Sequence, residues 1–474
     1  MGGGAGTSSA TEQKERERFE PNTAPPPVKT PLPAHQVPDL HNVFKRVSTD
    51  LPNLRASQST IDRLGPAERK ILGTAPVTLL VSPSDVLVKN PKGEVDIAAS
   101  QTKLGDVIAN FYPGVALSDD EQKSLINGFR EMEVTPQAAN VQLGPQACMV
   151  QLNPATAMGT NGVTRQITGL PDSYLRPDKL AIMNESFSKY ALSHEVGHCE
   201  EGANGNLPKQ QALFVMYPAD ALSAEAAADS LARVELNALP SSLMPHKKEA
   251  LQAILDQRAI SGMLNPGETF GLHENKLLLM SDHATIGPLL RPGADPVVAL
   301  VAPGLANRSI HHFLGEQTLE NGIRPDSPKL YKQMMDMKAK EPEKYDMVMH
   351  LLGREASKEA PLLHYAVAKA MLEEGMFGKN SLTRLNVEQY VKAMERNVKP
   401  DLLADARTLV DPFRDTLRHM PAAEREKLVV TVAKEESEAT ALMNDPNNRA
   451  APAPHASSPA PDKQPPPQIP PPTS

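Results

Sequence analysis

The hydrophobic pattern of this chain changes period near residue 184, and that change limits the folds open to it. From about residue 75 to 183 the apolar runs are short and β-branched, as in "APVTLLVSPSDVLVKN", "GEVDIAA", "QACMVQLNP" and "KLAIMN", with turn residues between them. They read as strands of a small sheet, with helices around "AERKIL" and "DEQKSLINGFREM". After about 184 apolar residues recur at three- and four-residue spacing through "PKLYKQMMDMKAKEPEKYDMVMHLLG", "LLHYAVAKAMLEEG", "VEQYVKAMERN", "DLLADARTLVDPFRDTLRHM" and "AAEREKLVVTVAKEESEATALM". Strands followed by a long run of helices give an α+β class, a small mixed sheet and then a mainly helical C-terminal subdomain. No fixed-period repeat supports a solenoid.

The two ends differ from this middle. Of 45 prolines, many fall in "TAPPPVKTPLPAHQVP" and in "PNNRAAPAPHASSPAPDKQPPPQIPPPTS", where missing amide donors and fixed φ exclude both helix and central strand. The expected division is therefore a disordered segment 1–38, an N-terminal α+β region 39–135, a core 136–300, a helical subdomain 301–445 and a disordered tail 446–474. The proline-rich ends are expected to act as spacers, or to dock a partner through a polyproline conformation.

A formal net charge of −8 and a pI near 5.9, without a basic stripe interleaved with aromatics, exclude nucleic acid as an expected partner. No run reaches the roughly 18 apolar residues of a membrane span, and the start lacks the apolar core of a secretory signal. The chain is expected in the cytoplasm as synthesised. Its polar, Ser- and Pro-rich amino terminus is also compatible with signal-peptide-independent secretion, as of a bacterial effector protease. The two cysteines, Cys148 and Cys199, cannot build a disulfide framework or a zinc finger. A single bridge stays open, but the habitual burial of cysteine makes two packed thiols the expected state.

The chemistry concentrates in "YALSHEVGHCEEG", residues 190–202. A helix capped by Asn184 or Ser186 and stopped near Gly202 places Phe187, Tyr190, Ala191, His194 and His198 along one face. Two imidazoles one turn apart are what a tetrahedral zinc takes from a single rigid element. Glu195 stands about 100° further round, beside such a metal, where it can take a proton from an attacking water. The plain alternative is a histidine pair satisfied by carbonyls in a helical core. Downstream, "DALSAEAAADSLARVEL" reads as a second helix opened by Asp220 or Ser223, with Glu225 and Asp229 one turn apart and small alanines that let it approach the first. A carboxylate at Glu225 completes a His, His, Glu donor set. Asp229 then accepts a hydrogen bond from the non-ligating nitrogen of His194 or His198. Against this stands a solvated acidic face with Asp229 paired to Arg233, and Asp220 as a different third donor.

"HEVGH" on one helix and "EAAAD" on the next resemble the gluzincin class of zinc metallopeptidases, over about residues 140–290. The resemblance implies a zincin-like fold, Zn2+ held by His194, His198 and Glu225, Glu195 as general base, and a protein or peptide substrate. The metzincin pattern does not fit, because Glu201 and Asn204 stand where a glycine and a third histidine belong. Peptide hydrolysis also needs a donor for the developing oxyanion. His283 in "MSDHATIGPLL" is the first candidate, followed by His273 and Tyr217. "QACMVQLNP" is expected to be the edge strand above the cleft. Cys199 points off the metal face, and the adjacent His311 and His312 fall on different faces. A helical interaction protein with a structural or inactive zinc site is the competing reading.

Overall fold

The computed structural model describes residues 44–46, 53–73, 75, 78–112, 115, 117–134, 138–144, 147–152, 168–203, 218–264, 270–273, 276–279, 291 and 293–444. The segments expected to be disordered, 1–38 and 446–474, lie outside the described residues. The architecture is α+β, a small mixed sheet and a large, mainly helical region.

Five strands, β1 (Phe44–Arg46), β2 (Leu54–Ser57), β3 (Thr78–Val81), β4 (Ala138–Gly144) and β5 (Ala147–Leu152), form one sheet in the order β1-β2-β3-β5-β4. β2, β3 and β5 run parallel, and β1 and β4 close the two edges antiparallel. Register places Leu79 beside Met149 and Leu80 beside Val150. Strand alternation then sends each pair to its own face. Leu79, Val81 and Met149 pack on α4 (Ile97–Phe111) and α5 (Asp119–Val134). Leu80, Cys148, Val150 and Leu152 pack on the opposite side against Leu192, Val196 and Cys199 of α6 (Pro177–Ala203) and Leu236 of α7 (Pro218–Ala238). Three short helices, α1 (Gln58–Arg63), α2 (Pro66–Leu72) and α3 (Pro83–Val86), fill the connections.

Several local expectations are corrected. "QACMVQLNP" is not the edge: β5 is an inner strand, covered by β4 through an antiparallel pairing with an irregularity between Gln142 and Gly144. "GEVDIAA" is not a strand, because the Asp96 carboxylate accepts from the Ala99 amide at 3.0 Å and caps α4. "KLAIMN" is helical, so α6 begins at Pro177 rather than near Asn184, and Ser186 sits inside it with its hydroxyl donating to the Ile182 carbonyl. α7 likewise begins at Pro218, ahead of Asp220. The helical run is also interrupted by a hairpin of β6 (Phe270–His273) and β7 (Lys276–Leu279).

α8 (Lys247–Leu264) follows α7, and the remaining helices are α9 (Pro296–Thr318), α10 (Pro328–Lys340), α11 (Pro342–Glu359), α12 (Pro361–Glu373), α13 (Leu382–Asn397), α14 (Pro400–Arg407), α15 (Val410–His419), α16 (Ala422–Leu428) and α17 (Val432–Asn444). A π-helical turn, Leu319–Ile323, and a short helical turn, Arg324–Asp326, extend α9. Their core includes Ile310, Phe313, Tyr365, Met371, Phe377, Tyr390 and Met394, and it continues onto Met183 of α6 and Ile260 of α8. The two halves are also joined by charge: Asp256 of α8, buried, accepts from Arg396 Nε at 3.0 Å and from Asn397 at 2.7 Å on α13. No described helix is long and apolar enough to cross a membrane.

Candidate metal centre

α6 carries the motif because its apolar residues Met183, Tyr190, Leu192, Val196 and Cys199 are buried while His194 falls toward α7. Gly197 lets α7 come close: a β-carbon there would stand 3.0 Å from the Ala228 Cα. That contact brings Asp229, the next residue of α7, against His194.

His194 and His198 are 8% and 9% exposed, and their Nε2 atoms are 3.1 Å apart. Two imidazoles sharing a tetrahedral ion at about 2.0–2.1 Å would hold those atoms roughly 3.3 Å apart, so the spacing suits a common ligand. His194 Nδ1 lies 2.8 Å from Asp229 Oδ1. With the carboxylate as acceptor, Nδ1 carries the proton and the lone pair sits on Nε2. The His198 Nε2–H donates to that lone pair.

Asp229 is fully buried and, among the described residues, is met by His194, Arg258 and Tyr190. Arg258 of α8 donates through Nη2 at 2.8 Å, the Tyr190 hydroxyl donates to the oxygen that also holds His194, and the Arg258 guanidinium lies 5.5 Å from the Tyr190 ring centroid. Burial alone would raise the Asp229 carboxyl, but Arg258 beside it and the hydrogen bonds from His194 and Tyr190 carry it below its ordinary value. The group is therefore a buried anion, and the ring it holds stays oriented. The alternative pairing to Arg233 is replaced by Arg258, which local spacing along α7 could not point to.

Glu195 follows His194 on α6 and is half-buried. Glu225 and Asp220 lie on α7, but their side chains are outside the described residues, as are the side chain of His273 and the whole of Tyr217 and His283. Two of the expected donors are thus brought together. Among the described residues, no group of three His, Cys, Asp or Glu side chains is gathered at metal-binding distance.

Cys199, directly after His198, is bonded to Cys148 of β5. The expectation of two packed thiols is overturned: the bridge ties the motif helix to the sheet across 51 residues of sequence. Tyr190 had a signal in sequence, since it precedes His194 by one helical turn. Arg258 had none beyond being a charge inside the apolar pattern of "ILDQRAISGML". In comparisons with family models, with curated proteins and with solved structures, nothing matches this chain.

Proposed function

We propose that the chain is a zinc-dependent metalloendopeptidase of the gluzincin type, in which His194, His198 and Glu225 hold the metal and Glu195 is the general base. The observation that carries this reading is the buried relay Arg258–Asp229–His194 behind a pair of imidazole nitrogens 3.1 Å apart. A pair of core histidines satisfied by backbone carbonyls has no need of a buried carboxylate that fixes one tautomer. The zincin-like reading of the fold rests on similar ground: a small mixed sheet with an antiparallel edge strand, β4, lies over the motif helix, and helices follow.

When bound, zinc supplies the Lewis acidity that polarises a scissile carbonyl and acidifies the attacking water. Glu195 takes the water proton on its carboxylate and delivers it to the leaving nitrogen. Asp229 keeps the Nδ1–H of His194 pointed away from the donor position, and Arg258 keeps Asp229 ionised. β4 offers its outer edge to an extended peptide, and His283 is the proposed oxyanion donor. The Cys148–Cys199 bridge supports export, since disulfides persist in oxidising compartments. The proline-rich ends would then serve as spacers or docking segments.

The test is zinc content by elemental analysis together with casein cleavage, on wild type, Glu195→Ala and Glu225→Ala. The expected result is near-stoichiometric zinc in the wild type and in Glu195→Ala, cleavage reduced about 10²- to 10⁴-fold in Glu195→Ala, and weakened zinc in Glu225→Ala. A wild type that holds no zinc after zinc-replete preparation would leave an interaction protein with an inactive site.

A further inference from the structure

Three histidines of the helical subdomain meet where α9, α11 and α12 join. His311 of α9 lies 4.9 Å, ring to ring, from His350 of α11 and 5.5 Å from His364 of α12. All three are at most 3% exposed. The crossing of α9 and α11 is tight at this level, because a methyl group at Gly315 or Gly353 would overlap the facing carbonyl, of Met349 or of His311. The helices cannot slide apart by small steps here; they are packed or they are open.

The cluster is built for neutral rings. His364 donates from Nε2 to the Asn307 side-chain oxygen at 3.2 Å and accepts at Nδ1 from the Tyr390 hydroxyl of α13 at 3.1 Å. Asn307 is held in that orientation because its amide donates to the Gly262 carbonyl of α8. His311 Nδ1 has no hydrogen-bond partner among the described residues. The His350 ring looks onto the Arg308 carbonyl but makes no hydrogen bond of normal geometry.

The charges acting on the cluster from the surrounding elements are cationic. Arg308 on α9 and Arg354 and Lys358 on α11 all act on it. His312, next to His311, meets Asp346 of α11 at 3.1 Å and, when charged, also acts on His350. The carboxylates nearby are engaged elsewhere: Glu438 of α17 with Arg308, Asp346 also with Lys427 of α16, and Glu316 of α9 with Lys338 of α10. Lys434 of α17 adds a further positive charge near Arg308. Among the described residues, a proton placed on any of the three rings therefore has no carboxylate bonded to it.

We propose that the His311–His350–His364 cluster is an acid-sensitive latch, which holds the α9, α11 and α12 junction closed while the rings are neutral and opens it on protonation. This does not depend on the metallopeptidase reading. Burial and neighbouring cations keep His311 well below the ordinary imidazole value, and burial pushes His350 to about 4 and His364 to about 3. Above the ordinary value of 6.5 all three are neutral in both the closed and the open state, so the latch has its full strength. Below it the open state takes up protons that the closed state refuses. The opening constant then rises by up to about tenfold per pH unit for each ring, and the stabilisation drains as the pH falls toward the closed-state values.

Hydrogen exchange read by mass spectrometry on the full chain, from about pH 7.5 down to about 4.5 and corrected for intrinsic rates, tests the latch. The expected result is that peptides of α9, α11 and α12 lose protection before those of β2, β3 and β5, and that His350→Leu lowers the pH slope of opening by about tenfold per unit. Helices that hold protection as long as the sheet, or a variant with an unchanged slope, overturn the proposal. Should His350→Leu fail to fold, exchange of the imidazole C2 protons in the wild type decides the matter. Rings that titrate near the ordinary value exclude the latch, and rings that resist protonation until well below it support it.

Discussion

Two groups of buried histidines occupy the two halves of this molecule, and they differ in what stands behind them. His194, which meets His198, is backed by an ionised carboxylate, Asp229, which is itself held by Arg258 and Tyr190. Among the described residues, His311, His350 and His364 meet an amide, a hydroxyl, a backbone carbonyl and cations, with no carboxylate bonded to a ring. Burial is similar in both, so burial does not decide what a histidine does. A carboxylate on Nδ1 fixes a tautomer and favours positive charge or a cation at the far nitrogen, whereas a cluster without one is stable only when neutral. The first arrangement suits a metal centre and the second a proton-sensitive contact.

The comparison can be broken most severely at Arg258. Arg258→Met would strand Asp229 as a buried anion without its cation, at a cost of roughly 3–5 kcal/mol in urea unfolding. A loss below about 1 kcal/mol would mean that Asp229 is neutral and that the two histidine groups do not differ as described. Slightly smaller, and independent of charge, is the covalent anchor. Replacing Cys148 and Cys199 together by serine releases a loop of 51 residues and should lower stability by about 4 kcal/mol in the chain-entropy treatment. The loss should be read as a lower thermal midpoint, and addition of reductant should reproduce it in the wild type but not in the variant. The finest probe is Asp229→Asn, which keeps the shape and removes the anion. Zinc affinity measured by competition with a chromogenic chelator should fall about 10- to 100-fold. An unchanged affinity would show that the carboxylate does not tune the imidazole pair.

Much of the helical half was legible because its signal is long. "LLHYAVAKAMLEEG" and "VEQYVKAMERN" repeat their apolar spacing over several turns, and both are helices, α12 and α13. The short runs misled for a definite reason. "KLAIMN" is too brief to distinguish strand from helix, and only its continuation through Leu180, Met183, Phe187 and Tyr190 reveals the helical period. In "GEVDIAA" the capping role of Asp96 outweighs the β-branched neighbours. β4, "AANVQLG", has one β-branched residue and so gave no strand signal; it is a strand because β5 supplies its hydrogen-bonding partner.

The spacing of His194 and His198, their shared face and the offset of Glu195 follow from the geometry of one helix, and residue order alone determined them. The approach of α7 at Gly197, the choice of Arg258 over Arg233, the bond from Cys199 to Cys148 and the meeting of His311 with His350 and His364 belong to the tertiary structure. These pairs are tens of residues apart, as the separations of 29 for Arg258–Asp229, 35 for His194–Asp229 and 51 for the disulfide record. Local periodicity acts over one or two turns. Which distant side chains meet is set by how whole elements pack, and that depends on the volume, twist and crossing of every layer between them.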